Sequence, residues 1–540
     1  MIANSMNLTP LRYGFPNPQH PCYHLVLLLE SELSSDLNVR QVRVDGQRVR
    51  DFWVYNDGIV HPTNTFIAGK RRNIVVRVNW ANESSHHIEV DVDGAGGEAH
   101  TLVSDSIAPH YGGYWDPAWR FYAATVVKEE CGMPRAKEPI HILLGVFAER
   151  VTVPEREVRV VSIDPDSGVP EEIPCQVYDV STQSNVQTEK GQPTTTFSVA
   201  FLADVSANVA KVYLIFYGNP NAPAPTYATD LAVSGEGLAL TIENNHYRIR
   251  LHPKSGAVDE ILLKQGVNAV FDHHIETNGA LFWNPDVYAP PRVWTHASDW
   301  DPPANVKTIS GPIFCMTKRW GPLPAYSDVE CSVTYVFYAH QPYMLMDSNV
   351  DILQDLDVRA LRNGEIVVNL NVVREFAWKQ PNGQVQVVDF KQRPREPKRA
   401  LDMPMDTPWW AFINRERRCS LAAITLQTAA VRRREGLVNL EPCVILKWGP
   451  WAYCTRPLVQ TNNTANPQRL VRVPASSSFS ESMAIYPCRL GATDQDWFAP
   501  VELVYERLVK PLRVSPTELD MDARTPEGWG PTYPSPESRL

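Results

Sequence analysis

Nothing in the 540 residues approaches the ~18 consecutive apolar positions that a membrane-spanning helix needs. The opening segment, MIANSMNLTPLRYGF, has neither the positive start nor the apolar stretch of an export signal. The expectation is a cytoplasmic protein with no membrane partner, or a secreted one if a leader precedes this sequence. Basic charge is also scarce: a net charge of -10 with only 21% charged residues leaves no coherent positive stripe to neutralise a phosphate backbone, so nucleic acid is excluded as a partner. The nine cysteines include no CxxC pair and are odd in number, which fits buried thiols in a reducing compartment and excludes both a disulfide framework and a zinc ribbon. There is no GxSxG elbow, no GxxxxGK[ST] phosphate loop and no dinucleotide fingerprint. Serine hydrolase, P-loop NTPase and Rossmann oxidoreductase chemistry are therefore set aside.

Long helices are missing too. The 45 prolines exceed the usual ~5% share and are scattered, which suits strands and loops and breaks helices. What remains is alternation. Ile74, Val76, Val78 and Trp80 fall on one face and Val75, Arg77 and Asn79 on the other, and Ile88, Val90 and Val92 repeat the period of two. The acidic DVDGAGGE stretch at 91–98 lacks calcium-loop spacing and reads as a hairpin turn. Val- and Ile-rich runs separated by Pro and Gly continue from 125 to 225, with a polar tip at 181–196 and a Pro-rich linker at 219–228. From 236 the strand runs CSVTYVFY, YMLMDSNV, EIVVNLNVV, CSLAAITLQ and ESMAIYP indicate a large antiparallel double sheet. Only 496–512 has helical spacing, through Val501, Val504, Leu508 and Leu512. At this length several cores are required. The predicted domains are 1–124, 125–228 and 229–515, with a surface tail over 516–540.

The chain carries 15 Trp, 20 Tyr and 17 Phe. Most such rings pack sheets, but flat side chains also stack on sugar rings. The densest mixture with polar groups is FDHHIETNGALFWNPDVYAPPRVWTHASDWD at 271–301, which holds His273, His274, Glu276, Asn278, Trp283, Asn284, Asp286, Tyr288, Arg292, Trp294, His296, Trp300 and Asp301. Such a mixture on a loop above a rigid sheet is the lining expected of a carbohydrate cleft. The histidines with Glu276 leave room for a divalent cation, but the HExxH spacing is missing and adjacent strand residues point to opposite faces, so neither a metal site nor a cofactor is predicted. Two further clusters are candidates: HYGGYWDPAWRFY at 110–122, with Tyr114, Trp115 and Trp119, reads first as a packing loop, and KRWGPLPAYSD with VREFAWKQ supplies Lys318, Arg319, Tyr326, Arg374, Trp378 and Lys379. Cations beside tyrosines suit a sugar carboxylate; solvated strand faces explain them equally.

The segment LTIENNHYRIRLHPKSGAVDEILLK at 240–264 resembles the opening of the galactose-mutarotase-like β-supersandwich. The preceding EECGMPRAKEPIHILLGVF, EEIPCQVYD and ADVSANVAKVYLIFYG are similar to the smaller β domain of exo-rhamnogalacturonan-lyase-like proteins. The expected fold is all-β: multidomain β-sandwiches with a large antiparallel supersandwich in the C-terminal half. The resemblance implies a carbohydrate-active enzyme, and a lyase acting by β-elimination on an acidic oligosaccharide or polysaccharide is the first expectation. In that scheme His273, His274, Tyr288 and His296 provide base and acid, Arg292 and Arg319 hold the sugar carboxylate, and Trp283, Asn284, Trp294, Trp300, Tyr114, Tyr326 and Lys379 contact sugar. The alternatives are a glycoside hydrolase with a carboxylate pair from Glu276, Asp286, Asp299 and Asp301, and a non-catalytic sugar-binding protein.

Overall fold

In the computed structural model, residues 8–522 are described apart from 14–23, 30–32, 34, 58, 78–85, 108–114, 117, 164–169, 184–192, 265, 273–281, 284, 391–400, 405, 432–442, 447–450, 461–469 and 494–495. Among the described residues nearly every regular element is an antiparallel strand, as the alternation and the scattered prolines require. No helix among them is long and apolar enough to cross a membrane. The chain divides into two compact units, one comprising 1–227 and 512–540 and the other 228–511.

In the first unit, a sheet containing Arg72–Arg77 faces a sheet containing Leu37–Val44 and His86–Gly94. Ile88, Val90 and Val92 point into the core, as their alternation predicts. Val75, expected on an outward face, is buried with Ile74 and Val76, because its strand lies inside the sheet with both faces covered. The DVDGAGGE stretch is the expected hairpin: Gly94 N–H donates to Glu98 O at 2.8 Å, and Gly97 takes a φ of +82°.

The boundary expected at 124/125 falls inside the strand Phe121–Lys128. Tyr122, Ala124 and Val126 enter one core, while Phe121, Ala123 and Val127 enter a second, with Ile140, Phe197 and Phe201. One strand buried on both faces joins the two sandwiches, so a cut there would open both cores. The residues from 516, read as a tail, continue a strand through Asp522 that pairs with Phe121–Lys128. That strand is at the sheet edge, the position in a sheet where a proline such as Pro516 is tolerated. The polar tip expected at 181–196 lies mostly outside the described residues. The Pro-rich 219–228 stretch is tied down: Arg156 donates to Pro220 O at 2.6 Å and Arg159 to Pro223 O at 2.7 Å.

In the second unit, a five-stranded sheet runs from Ala232–Glu236 to Ala269–Asp272. A nine-stranded sheet includes Phe314–Leu323, Tyr326–Tyr338, Met344–Ile352, Ser477–Arg489 and Cys419–Val431. A seven-stranded sheet is built around Ala360–Asn369 and Trp451–Gln460. The KSG tip is the predicted turn between Tyr247–Leu251 and Val258–Leu263, and it needs its glycine: at φ +67°, a Cβ on Gly256 would lie 2.7 Å from Arg319 Cδ. The predicted helix spans Ala499–Val509 and buries Val501 and Val504 against Trp409, Ala411 and Ile424. Leu512 lies beyond the helix and packs in the first unit.

Candidate functional site

The strands Asp286–Tyr288 and Thr295–His296 form a short hairpin at one end of the seven-stranded sheet. Asp286 is opposite His296, and on its other side opposite Arg362 of Ala360–Asn369. This register stands their side chains on one face. Arg362 grips Asp286 with a guanidinium fork, Nε to Oδ1 at 3.0 Å and Nη2 to Oδ2 at 2.5 Å. The same Nη2 lies 3.1 Å from Glu365 Oε2. Asp286, Arg362 and Glu365 are all buried, so this ion cluster is a foundation that solute does not reach.

Above it stands a ladder of rings. Tyr288 and Trp294 stack with centroids 5.2 Å apart and planes 5° from parallel, and His296 follows Trp294 at 6.4 Å and 11°. The Arg362 guanidinium lies 4.9 Å from the Trp294 ring centre. Trp294 is nonetheless 40% exposed, an unusual setting for so large an apolar group held by so much structure. His296 is fixed at its Nδ1 by Asp299 Oδ2 at 3.1 Å, and the same oxygen accepts the His296 backbone N–H at 2.8 Å. Asp299 is on the surface; His296 Nε2 faces Asp286 Oδ2 at 3.8 Å.

The hairpin turn is clamped from the neighbouring sheet. The Tyr326 hydroxyl accepts the Ala289 N–H at 2.9 Å and donates to Val293 O at 2.7 Å. Burial pushes the Tyr326 phenol pKa up, consistent with a hydroxyl that stays protonated to donate. Arg292 stacks 4.3 Å over the Tyr326 ring and forks onto Asp328 at 2.7 and 3.0 Å, which holds the Asp328 carboxyl below its ordinary range. Tyr326→Phe strands one buried donor and one acceptor. The expected cost is about 1–3 kcal/mol, visible as faster hydrogen exchange at Ala289 and its neighbours with no change at remote strands.

Several predicted site residues therefore have other roles. Arg319 is buried beneath the Lys254–Gly256 turn, donates to Ser255 O at 2.6 Å and packs on Tyr335; burial lowers its pKa, and it cannot hold a sugar carboxylate. Arg292 is committed to Asp328, and Tyr326 is a clamp. Trp300 is 3% exposed and donates its indole N–H to Pro322 O at 2.9 Å, so it is a core ring. Lys379 lies on a strand five positions along the nine-stranded sheet from Tyr326–Tyr338, where it pairs with Glu502 of the helix at 2.6 Å. The structure thus brings together Tyr288, Trp294 and His296 of the predicted set. His273, His274, Glu276, Asn284 and Tyr114 lie outside the described residues, as does the side chain of Trp283. Trp115 and Trp119 of the 110–122 segment are packing rings: they meet at a tilt of 43° with centroids 5.0 Å apart, and the Trp119 indole donates to Glu157 O. Among the described residues no group of three or more His, Cys, Asp or Glu is arranged to hold a metal.

Sequence reasoning missed Arg362 and Glu365. The signal was present: charged and amide residues interrupt an otherwise apolar strand at ALRNGEIVVN.

No protein-family model matches the sequence, and no curated protein matches it either. Solved structures show distant likeness. A glycosyl hydrolase family 38 protein from Enterococcus faecalis is 9% identical, with a TM-score of 0.45, over 73% of this chain and 47% of its own. An alpha-mannosidase from Enterococcus faecalis V583 is 9% identical, with a TM-score of 0.46, over 75% of this chain and 46% of its own. A TPR-domain containing protein from Parabacteroides distasonis is 7% identical, with a TM-score of 0.32, over 67% of this chain and 58% of its own. This chain thus spans under half the length of the first two.

Proposed function

We propose that the 228–511 unit belongs to a carbohydrate-active protein and that its 286–301 hairpin contacts the sugar. The observation that carries this reading is Trp294: an indole 40% exposed, held rigid between Tyr288 and His296 and underpinned by Arg362, presents an ordered apolar surface against which a sugar ring can pack. The half-buried Tyr288, which stacks on Trp294, and the exposed Asp299, which holds His296, are the proposed partners for sugar hydroxyls.

Hydrolysis is the reaction these residues favour over β-elimination. Elimination beside a sugar carboxylate needs cations that meet the substrate, and both arginines expected in that role are held by internal partners. Hydrolysis needs two carboxyl groups at the surface of a cleft. Asp286 is ruled out as one of them by its burial and its fork to Arg362. Asp299 is the proposed member of the pair, with Glu276 as the second, or Asp301, whose pair with Lys254 at 2.8 Å is exposed enough to exchange for substrate.

The test is to incubate the protein with neutral aryl glycosides, oligosaccharides and polyuronides, and follow reducing ends together with absorbance at about 235 nm, where the conjugated product of elimination absorbs. New reducing ends without absorbance, lost in Asp299→Asn, are the expected result. Absorbance on polyuronides would restore the lyase reading. Binding without either signal would leave a non-catalytic sugar-binding unit.

A further inference from the structure

A hollow of about 300 Å³ lies at the far end of the nine-stranded sheet, built from the 370–374 connection, the 414–417 turn and the ends of Glu375–Lys379 and Val385–Asp389. Its volume is at the small end of ligand pockets and suits one sugar ring. Its chemistry is ionic, with Arg374, Arg415 and Arg417 facing Glu375, Glu416 and Asp389, so an anion must be held by arginines that the three carboxylates leave available. Arg415 is immobilised, with Nε 3.0 and 3.1 Å from the two Glu375 oxygens and its guanidinium 3.9 Å from the Trp497 ring centre, so it forms a fixed wall. Arg374 has a weaker hold: it meets Glu416 at 3.4 Å, and those side chains are 49% and 78% exposed. An ion pair this exposed contributes little and exchanges readily for a better acceptor. Arg417 is positioned through its backbone N–H, which donates to Asn414 Oδ1 at 2.9 Å, and its guanidinium meets no carboxylate among the described residues. The turn carrying these arginines is braced on its other side, where Arg418 donates to Gly491 O and Ala492 O.

We infer that this hollow is a second ligand site, separate from the Trp294 hairpin, that takes a hydroxylated anion of monosaccharide size, with Arg417 and Arg374 gripping the anionic group. A planar guanidinium fork matches a carboxylate in two parallel hydrogen bonds, and the acceptor oxygens of Glu375 face sugar hydroxyls. Sugar acids and sugar phosphates share this anionic chemistry, and the carboxylate is the geometry the fork matches best.

The experiment titrates the full chain with D-galacturonate, its neutral parent D-galactose and inorganic phosphate, by calorimetry or ligand-observed NMR. Galacturonate should bind at one saturable site and galactose should bind about tenfold more weakly or not at all, because a charge-assisted contact is lost. R417A should weaken galacturonate about tenfold, with R417K intermediate, and because Arg417 is a surface residue the unfolding midpoint should not move. W294A should leave this binding unchanged. The inference is overturned if galacturonate fails to bind, if it binds no better than galactose, if R417A has no effect, or if W294A abolishes binding. R417A-sensitive phosphate binding without galacturonate binding would likewise overturn the sugar acid and assign a phosphate. None of these outcomes counts against the hairpin reading, which rests on Trp294; loss of binding in W294A would place the galacturonate there instead.

Discussion

Replacing Arg362 with alanine is expected to destabilise the 228–511 unit by about 3–5 kcal/mol, the range for breaking a buried ion pair from one side. Asp286 and Glu365 are both fully buried, and Arg362 is the cation they share, at 2.5 and 3.1 Å. Without it two carboxylates of like charge are left in a poorly solvated interior. Either a proton must be taken up or water must enter, and each costs stability. Arg362→Lys keeps the charge but loses the fork, so its cost should lie in between. Arg472→Ala is the contrast: its pair with Asp357 is short, at 2.6 Å, but the side chains are 63% and 44% exposed, and such pairs contribute at most about 1 kcal/mol. Denaturant unfolding of the three variants checks the order. Equal stability of Arg362→Ala and Arg472→Ala would show that the cluster is not a foundation.

Trp294→Ala is expected to have the opposite signature, a large loss of sugar affinity with little loss of stability. A tryptophan that anchors the centre of a contact commonly contributes about 2 kcal/mol, which is about thirtyfold in dissociation constant. Because Trp294 is 40% exposed, its removal opens no closed cavity. Trp300, six residues on, should behave in the reverse way. It is 3% exposed with its indole N–H bonded to Pro322 O, so Trp300→Ala should cost about 3–5 kcal/mol of stability and change binding only as far as the fold is lost. Paired measurements of affinity and unfolding on both variants separate a shelf from a core ring.

The all-β architecture was legible because each strand's alternation is local information: Ile88, Val90 and Val92 declare an inward face without reference to the rest of the chain. The helix at Ala499–Val509 was legible for the same reason. The join at Phe121–Lys128 was not, since a strand buried on both faces shows an apolar run with no hint that two cores meet on it. Composition singled out the hairpin region as a candidate, but the contacts its residues make were not legible. Whether Arg292 meets a substrate or a carboxylate of its own chain depends on Asp328, 36 residues away, and the fate of Arg319 depends on Ser255, 64 residues away. Trp294 and Trp300 are equivalent letters in one segment; a Pro322 carbonyl brought in by another strand makes one a core ring.

The most direct test follows the indole N–H resonance of Trp294 in isotope-labelled protein, assigned by its disappearance in Trp294→Phe, during titration with neutral oligosaccharides. A saturable shift at Trp294, with Trp300 unmoved, is the predicted result. Sugar that binds while the Trp294 resonance stays in place, or that perturbs only rings elsewhere, would contradict a carbohydrate-contacting hairpin at 286–301.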